Sequence, residues 1–319
     1  MKKILCVLMS CLLFVMAGCS GHSKNLKFGA ADIGGVYYSF ASTFTQLADK
    51  EIDGYTFETK TTAGSVANLR LISDGYIDLA IVQADLLSDA YNATGTFADK
   101  KYQKGYKAVA SLYTECCQIV VRKDSGITGI DDLINKTVSV GASESGTEKN
   151  AEQILKMSGI TDELINKVNM DYTEAAEKLK AGEIDAFFCT AGTRTEVIGQ
   201  LSKECDICLI SLDDKCIDKM LSAYSLCEKY TIPAGTYNGQ DSDVTTIGVK
   251  AVLIAKQSLS DDVIKNVTKT IYEHADDFKY ATSLDISFDI NMAADGVDIP
   301  FHSGAAAYYT ERGINVLTE

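Results

Sequence analysis

The sequence predicts an α/β protein of two similar lobes, each built on a parallel sheet, and two groups of residues carry that expectation. One unit occurs twice: Ile72-x-x-Gly75-x-Ile77-Asp78 in "LISDGYIDLAIVQAD", and Leu179-x-x-Gly182-x-Ile184-Asp185 in "EKLKAGEIDAFFCTAG". Each copy reads as a helix end, a glycine cap and a buried parallel strand, so the repeat implies two lobes of one design. The second group is three turns rich in Gly, Ser and Thr, each between a strand-like run and a helix-like run. In alternating strand and helix sequences such turns lie at the carboxyl ends of the strands, where ligands bind.

In chain order, "LKFGA" is extended and leads through "ADIGG" into a helix whose Tyr37, Phe40, Phe44 and Leu47 share one face. The paired glycines invite a phosphate reading. No Lys-Ser/Thr follows them, however, and the third glycine of a dinucleotide fingerprint is absent, so a structural turn is the better account. "TTAGSVANLRLI" is the second turn, with Val66, Leu69 and Ile72 on one helical face, and "AIVQAD" ends the next strand. "LYTECCQIVVRKDSG" reads as a strand, with Cys116 and Cys117 in packing roles rather than as nucleophiles. "TVSVGASESGTEKNAEQIL" is a short strand, the third turn and a helix carrying Ala151, Ile154 and Leu155. Three helix N-termini meeting at one cleft supply N–H donors and positive dipole ends, a means for an acidic protein to hold a carboxylate without a cation. Ser65, Ser143, Ser145 and Thr147 serve equally well as caps of their own helices.

At 319 residues and 34.5 kDa the chain has room for two domains. Its net charge of −14 argues against nucleic acid, which needs clustered Lys and Arg. The start, "MKKILCVLMSCLLFVMAGCS", has two lysines, an apolar core from Ile4 to Val15 and Met16-Ala17-Gly18-Cys19. This is a secretory signal, and its end resembles the lipobox of bacterial lipoproteins. That likeness implies cleavage before Cys19, lipidation of the Cys19 thiol and a short polar tether, "SGHSKN", to an extracytoplasmic domain anchored to the bacterial membrane. An ordinary signal peptide with an incidental cysteine is the alternative.

Of ten cysteines, Cys6 and Cys11 fall in the leader; besides Cys19 there remain Cys116, Cys117, Cys189, Cys205, Cys208, Cys216 and Cys227. An odd number does not make a fully paired disulfide framework. Free thiols, one disulfide, or a metal site built on Cys205-x-x-Cys208 are all compatible with the spacing, although Cys216 and Cys227 are too far apart for a usual zinc pair. No metal and no cofactor is expected. Histidine occurs only at His22, His274 and His302, and no catalytic triad, HExxH, nucleophile elbow or Walker sequence is present. The adjacent acids Asp131-Asp132, Asp213-Asp214, Asp261-Asp262 and Asp276-Asp277 read as helix starts or solvated faces.

From about Leu26 to the C-terminal region the chain resembles the TAXI family of extracytoplasmic solute receptors, the substrate-capturing components of tripartite (TRAP) transporters. The likeness is carried by "GGVYYSFASTFTQLAD", "TTAGSVANLRLISDGYIDLAIVQAD", "SLYTECCQIVVRKDSGI" with "DDLINKTVSVGASESGTEKNAEQIL", "AGEIDAFFCTAGTRTEVI", "IPAGTYNGQDSDVTTIGVKAVLIA" and "PFHSGAAAYYTERG", in that order and spacing. The resemblance implies a bilobal periplasmic-binding-protein fold of the second type. One lobe would comprise residues 26–113 with 236–319, the other 114–235, after a signal at 1–18 and a lipidated tether at 19–25. The chain would cross between lobes near Tyr113 to Val121 and return near Ile232 to Thr236. It also implies a monomeric binding protein, not an enzyme, that hands glutamate, glutamine or a related dicarboxylate to a TRAP-type permease. Matched segment by segment, the ligand contacts are Gly35, Val36, Tyr37, Ser65, Gln83 and Asp85 in the first lobe. In the second they are Ser145, Gly146, Thr147, Thr190, Ala191 and Gly192, with Tyr237 near the returning crossover. Packing, a sheet-end cap and a hinge contact are the alternatives for Tyr37, Gln83 and Tyr237. Arg70 and Arg122 read as structural. Arg194 departs from the family pattern and is a candidate to clamp a second carboxylate, or else faces solvent. A cation bridging carboxylates would draw on Asp85 or Glu144, but no convincing set of oxygen ligands accompanies them. Rival readings are a receptor for an ABC importer or a sensor kinase, an enzyme using Cys189, or a surface adhesin.

Overall fold

A computed structural model describes residues 23–99, 105–283 and 288–319. The leader and Cys19 lie outside the described residues. Ten strands form a mixed sheet: β1 (Lys24–Gly29), β2 (Tyr55–Lys60), β3 (Leu79–Gln83), β4 (Tyr106–Arg122), β5 (Thr137–Ser139), β6 (Asn166–Val168), β7 (Ala186–Ala191), β8 (Ile207–Leu209), β9 (Cys227–Ile232) and β10 (Val244–Lys256). Their order is β2-β1-β3-β10-β4-β7-β5-β6, with β8 beside β4 and β9 beside β10. The trios β1–β3 and β5–β7 are parallel within themselves, whereas β4 and β10 run antiparallel to their neighbours. This is the α/β, bilobal fold expected from the doubled unit.

The two copies of that unit do the same structural work. Gly182 caps its helix in the left-handed conformation, and Gly75, at φ 82°, turns the chain likewise. Asp78 then exchanges hydrogen bonds with Lys27: the Lys27 N–H donates to its carboxylate at 2.9 Å, and its own N–H donates to the Lys27 carbonyl at 2.8 Å. Asp185 repeats both bonds with Thr137, each at 2.8 Å. Each aspartate therefore clips the start of one parallel strand to the next, which fixes register at the same place in both halves.

β4 and β10 are longer than the other strands because they serve both halves. β4 pairs with β10 from Tyr106 to Cys116 and with β7 from Cys116 to Val121. β10 pairs with β9 through Val249 and with β3 from Ala251, with register shifts at Ala251/Val252 and Leu253/Ile254. A division at residues 235 and 236 thus assigns all of β10 to the first lobe while its first six residues pair with β9. Lys24 and Asn25, read above as tether, are already in β1 opposite Tyr55 and Thr56.

Helices α1 (Val36–Glu51), α2 (Ser65–Ser73) and α3 (Ala84–Asn92) follow β1, β2 and β3. In the other half α4 (Gly146–Met157), α5 (Tyr172–Ala181), α6 (Glu196–Glu204) and α7 (Asp214–Ala223) follow β5, β6, β7 and β8. The chain ends with α8 (Asp261–Glu273), α9 (Ala275–Thr282) and α10 (Ser303–Thr310). The helical face foreseen for α1 is buried at Tyr37, Phe40 and Phe44. Phe40 stacks on Phe278 of α9 at 4.4 Å, and Phe44 meets Phe28 edge-on at 5.4 Å. A second core gathers Ile119, Val138, Ile154, Leu155, Phe188 and Met220. All seven cysteines of the described residues are free thiols; burial pushes Cys116 and Cys117 up to about 12, in keeping with packing roles. The acid pairs sit at helix starts, Asp213 as the side-chain cap of α7 and Asp261-Asp262 and Asp276-Asp277 in first turns.

His274 joins α1 to α9: its Nε2 lies 2.6 Å from Glu51 and its Nδ1 2.9 Å from Asp277. These two carboxylates, Asp277 first, raise its pKa above the usual histidine value. A raised pKa gives stability that is complete below the unfolded value near 6.5 and lost as pH rises through the folded value. Because the group is largely exposed, the effect is under about 1 kcal/mol. The melting-temperature advantage of the parent over His274→Gln is therefore expected to be larger at pH 5.5 than at pH 8.5.

Candidate functional site

All three glycine and serine turns open on one cavity. α1 begins after Gly35 and α2 after Gly64, both without a side-chain cap; α4 begins after Ser145, whose Oγ accepts from the Glu148 N–H at 2.9 Å. The first residues of all three helices line the cavity, with the ends of β3 and β7 between them. Its volume is about 30 Å³, room for one or two water molecules and too little for an amino acid in this arrangement of the walls.

Of the residues singled out from sequence, Gly35, Val36, Tyr37, Ser65, Gln83, Ser145, Gly146, Thr147, Thr190 and Ala191 line this cavity. Four lie outside its lining. Asp85 starts α3 with its carboxylate oxygens buried, and desolvation raises the carboxyl to about 6. Gly192 accepts from Thr195 Oγ1 behind the turn. Tyr237 is buried behind β7: its hydroxyl donates to Gln118 and accepts from the Thr195 N–H at 3.0 Å, which braces the turn. Arg194 is exposed, with φ at 71°.

The polar walls are tied by short chains of hydrogen bonds. The Gln83 N–H donates to Ser65 Oγ at 3.1 Å, and Gln83 Nε2 donates to Asn150 of α4 at 3.0 Å. Tyr172, at the start of α5, donates to the Thr190 carbonyl at 2.9 Å and lies 2.6 Å from Thr147 Oγ1, which accepts from the Thr190 N–H. Tyr37 donates to Glu115 at 2.7 Å. The two halves touch across the cleft: the Ala67 N–H donates to the Glu144 carbonyl at 3.1 Å, and Arg70 grips the Glu144 carboxylate at 2.6 and 3.2 Å.

Sequence reasoning missed Asp32, Glu115 and Tyr172, all in the lining. Desolvation raises Glu115 to about 8, and desolvation with the nearby Asp171 charge raises Asp32 to about 6. Glu115 had a readable signal, an acid in the middle of an otherwise buried strand. Tyr172 had none. Among the described residues the lining contains no lysine, arginine or histidine, and no cluster of three or more His, Cys, Asp or Glu could hold a metal ion.

Gly64 shows how closely the walls approach. It has φ 117° and ψ −150°, which side chains rarely adopt, and a Cβ there would lie 3.5 Å from Ser145 Cα of the other half. Gly64→Ala is expected to destabilise the protein by about 1–3 kcal/mol through backbone strain, read as a lower melting temperature.

A family model described as "NMT1-like family" matches residues 28–313, nearly the whole described chain. The chain belongs to the NMT1-like family. Among solved structures this NMT1-like protein is similar to PhnD1 from Prochlorococcus marinus (MIT 9301) in complex with methylphosphonate, at 12% identity and TM-score 0.58, over 83% of this chain and 93% of that one. It is also similar to a putative L-cystine ABC transporter from Listeria monocytogenes, at 13% identity and TM-score 0.52, over 82% and 94%. An ancestral arginine-binding protein bound to arginine matches at 15% identity and TM-score 0.50, over 82% and 98%. At these identities the likeness is one of fold, the bilobal periplasmic-binding-protein fold of the second type. No helix of this NMT1-like protein, among the described residues, is long and apolar enough to cross a membrane.

Proposed function

We propose that this NMT1-like protein is an extracytoplasmic solute receptor that closes its two lobes around a small carboxylate and delivers it to a membrane permease. The observation that carries the reading is the meeting of three helix N-termini, two from one half and one from the other, on a single buried cavity. Dipole ends, with two of the three helices lacking a side-chain cap, suit a carboxylate, and contributions from both halves make its capture a closing motion. Ligand contacts then fall to the cavity-lining residues named above, with Asp85, Tyr237 and the Gly192 turn as supports. Glutamate, glutamine or a related dicarboxylate is the ligand the TAXI resemblance favours, with a TRAP-type permease as partner and lipid on Cys19 as the anchor. The lobes are taken as 26–113 with 236–319 and 114–235. An ABC importer is the second reading of the partner, favoured by the fold shared with the Listeria protein.

Native mass spectrometry of gently purified protein starting at Ser20, with the small molecule identified after denaturing release, tests the ligand. About one glutamate, glutamine or dicarboxylate per chain supports the reading. A protein without bound solute that also shows no thermal shift with these compounds overturns it.

A further inference from the structure

Among the described residues the cavity is lined by two carboxyl groups, Asp32 and Glu115, and by no cationic side chain. Three helix ends offset the charge of one bound carboxylate. Glu115 as a carboxylate has no cationic side chain to pair with among the described residues of the lining, and a buried charge is tolerated only when paired. Glu115 sits at the middle of β4, where the sheet passes from one half to the other, and is 3% exposed. One of its oxygens is held by the Tyr37 hydroxyl. On the same wall the Gln83 side chain hydrogen-bonds Glu115 and donates from its amide nitrogen to Asn150 at 3.0 Å, while its Oε1 is buried with no hydrogen-bond partner among the described residues. Glu115, Asp32 and the unpaired Gln83 oxygen line the same cavity and offer acceptors to an ammonium group, which brings three donors and a charge.

We propose that Glu115 is the specificity-determining residue of the cavity, receiving a protonated amine of the ligand as a carboxylate and giving up its own proton to solvent when the ligand binds. This rests on the receptor reading above and deepens it, from a carboxylate site to one that counts the ligand's positive charge. The balance is simple: a neutral Glu115 carboxyl and a ligand ammonium become a carboxylate–ammonium pair and one released proton. Asp32 and Gln83 Oε1 complete the acceptor set, and the ligand carboxylate goes to the helix ends.

The groups facing Glu115 pull both ways: desolvation first, then the nearby Asp85 charge, favours its neutral form, while hydrogen bonds from Tyr37 and Gln83 favour its carboxylate, and desolvation prevails. Asp85 lies behind it at the start of α3; Tyr113 and Cys116 neighbour it on β4, Cys189 on β7, Tyr172 on α5 and Tyr37 on α1. Among these the acids are buried, the tyrosines and thiols are held neutral by burial, and none is a cation. With its carboxyl raised to about 8, Glu115 is protonated at neutral pH, so a proton competes with the ligand amine. Affinity is therefore expected to fall as pH drops below about 8, by up to about tenfold per pH unit.

The test is titration calorimetry with L-glutamate and with glutarate, its counterpart without the amine, at pH 6, 7 and 8 and in two buffers of different ionisation enthalpy. Expected are close to one proton released per glutamate at pH 7, a Kd that rises as pH falls, and much weaker glutarate binding. Glu115→Gln, a near-isostere of the protonated acid, is expected to fold, to bind glutamate about 10- to 100-fold more weakly and to lose the pH slope. Tyr37→Phe removes a donor that favours the Glu115 carboxylate, and is expected to move the pH dependence upward. A purely structural role for either residue would not shift that profile. Glutarate binding as tightly as glutamate, no proton release, or an unchanged pH slope in Glu115→Gln overturns this inference and leaves the receptor standing. Absence of binding by glutamate, glutamine and glutarate overturns both.

Discussion

Asn68→Ala is expected to destabilise the folded protein by about 2–4 kcal/mol and to lower its melting temperature by about 5–10 °C. Asn68 is fully buried on α2. Its Nδ2 donates to the Ala30 carbonyl at 2.6 Å and the Ile81 carbonyl at 2.9 Å, and its Oδ1 accepts from Thr62 Oγ1 at 2.7 Å. One side chain thus ties the end of β1, the middle of β3 and the turn that starts α2. Alanine removes the side-chain donor of the Ile81 carbonyl, leaves the Ala30 carbonyl with only the Thr62 hydroxyl at 3.0 Å, and adds a cavity the size of an amide. Because these are the strand ends that carry the opening and second turns, ligand binding is expected to weaken as well. Differential scanning calorimetry of the variant checks the first outcome; a change below about 1 kcal/mol would mean that the freed groups find other partners.

Arg70→Ala is expected to favour the open arrangement of the lobes by about fivefold. Arg70 belongs to α2 in one half and Glu144 to the turn before α4 in the other, so their two-pronged pair exists only while the cleft is shut. Glu144 is held at φ 65°, in the left-handed region, and the Ala67 N–H caps its carbonyl. The side chains are 33% and 41% exposed, which limits the pair to about 1 kcal/mol, and salt weakens it further. A ligand that binds the closed form loses affinity by the same factor that closure loses. Small-angle scattering should show a larger radius of gyration for Arg70→Ala, and the difference from the parent should shrink in 0.5 M salt, about three times the physiological ionic strength. Equal scattering curves for the two proteins at low salt would sink the idea.

The parts of this molecule legible in its sequence were those written in local pattern. The doubled Gly-x-Ile-Asp unit gave both lobes, since a helix end, a left-handed glycine and a buried strand each leave a mark within a few residues. The three turns gave most of the cavity lining for the same reason: helix starts need small or capping residues. Glu115 left a local mark, an acid inside a buried strand, but its meaning depends on Tyr37, 78 residues away, and on Gln83. Tyr237 was placed in the right neighbourhood, yet its hydroxyl is committed to Gln118 and the Thr195 turn, which only the packing of the return segment decides. Arg194 carried a charge that suited a carboxylate, while its side chain is turned to solvent. Spacing names the residues near a cleft; which way each one points depends on long-range packing.

The placement of β10 bears on how the chain comes into being. It lies between β3 and β4 and also borders β9, so neither half of the sheet is whole until residues 244–256 arrive. A chain made from its N-terminus therefore has about three quarters of its length out before its central strand exists, and its closing contacts span long stretches of sequence. Until then β3 and the first half of β4 have an unpaired edge each, which disfavours early folding and exposes the nascent chain to helpers or to aggregation. A sheet completed by its last strand defers folding toward the end of synthesis, so the unfolded interval of this chain is set by its length rather than by either half alone.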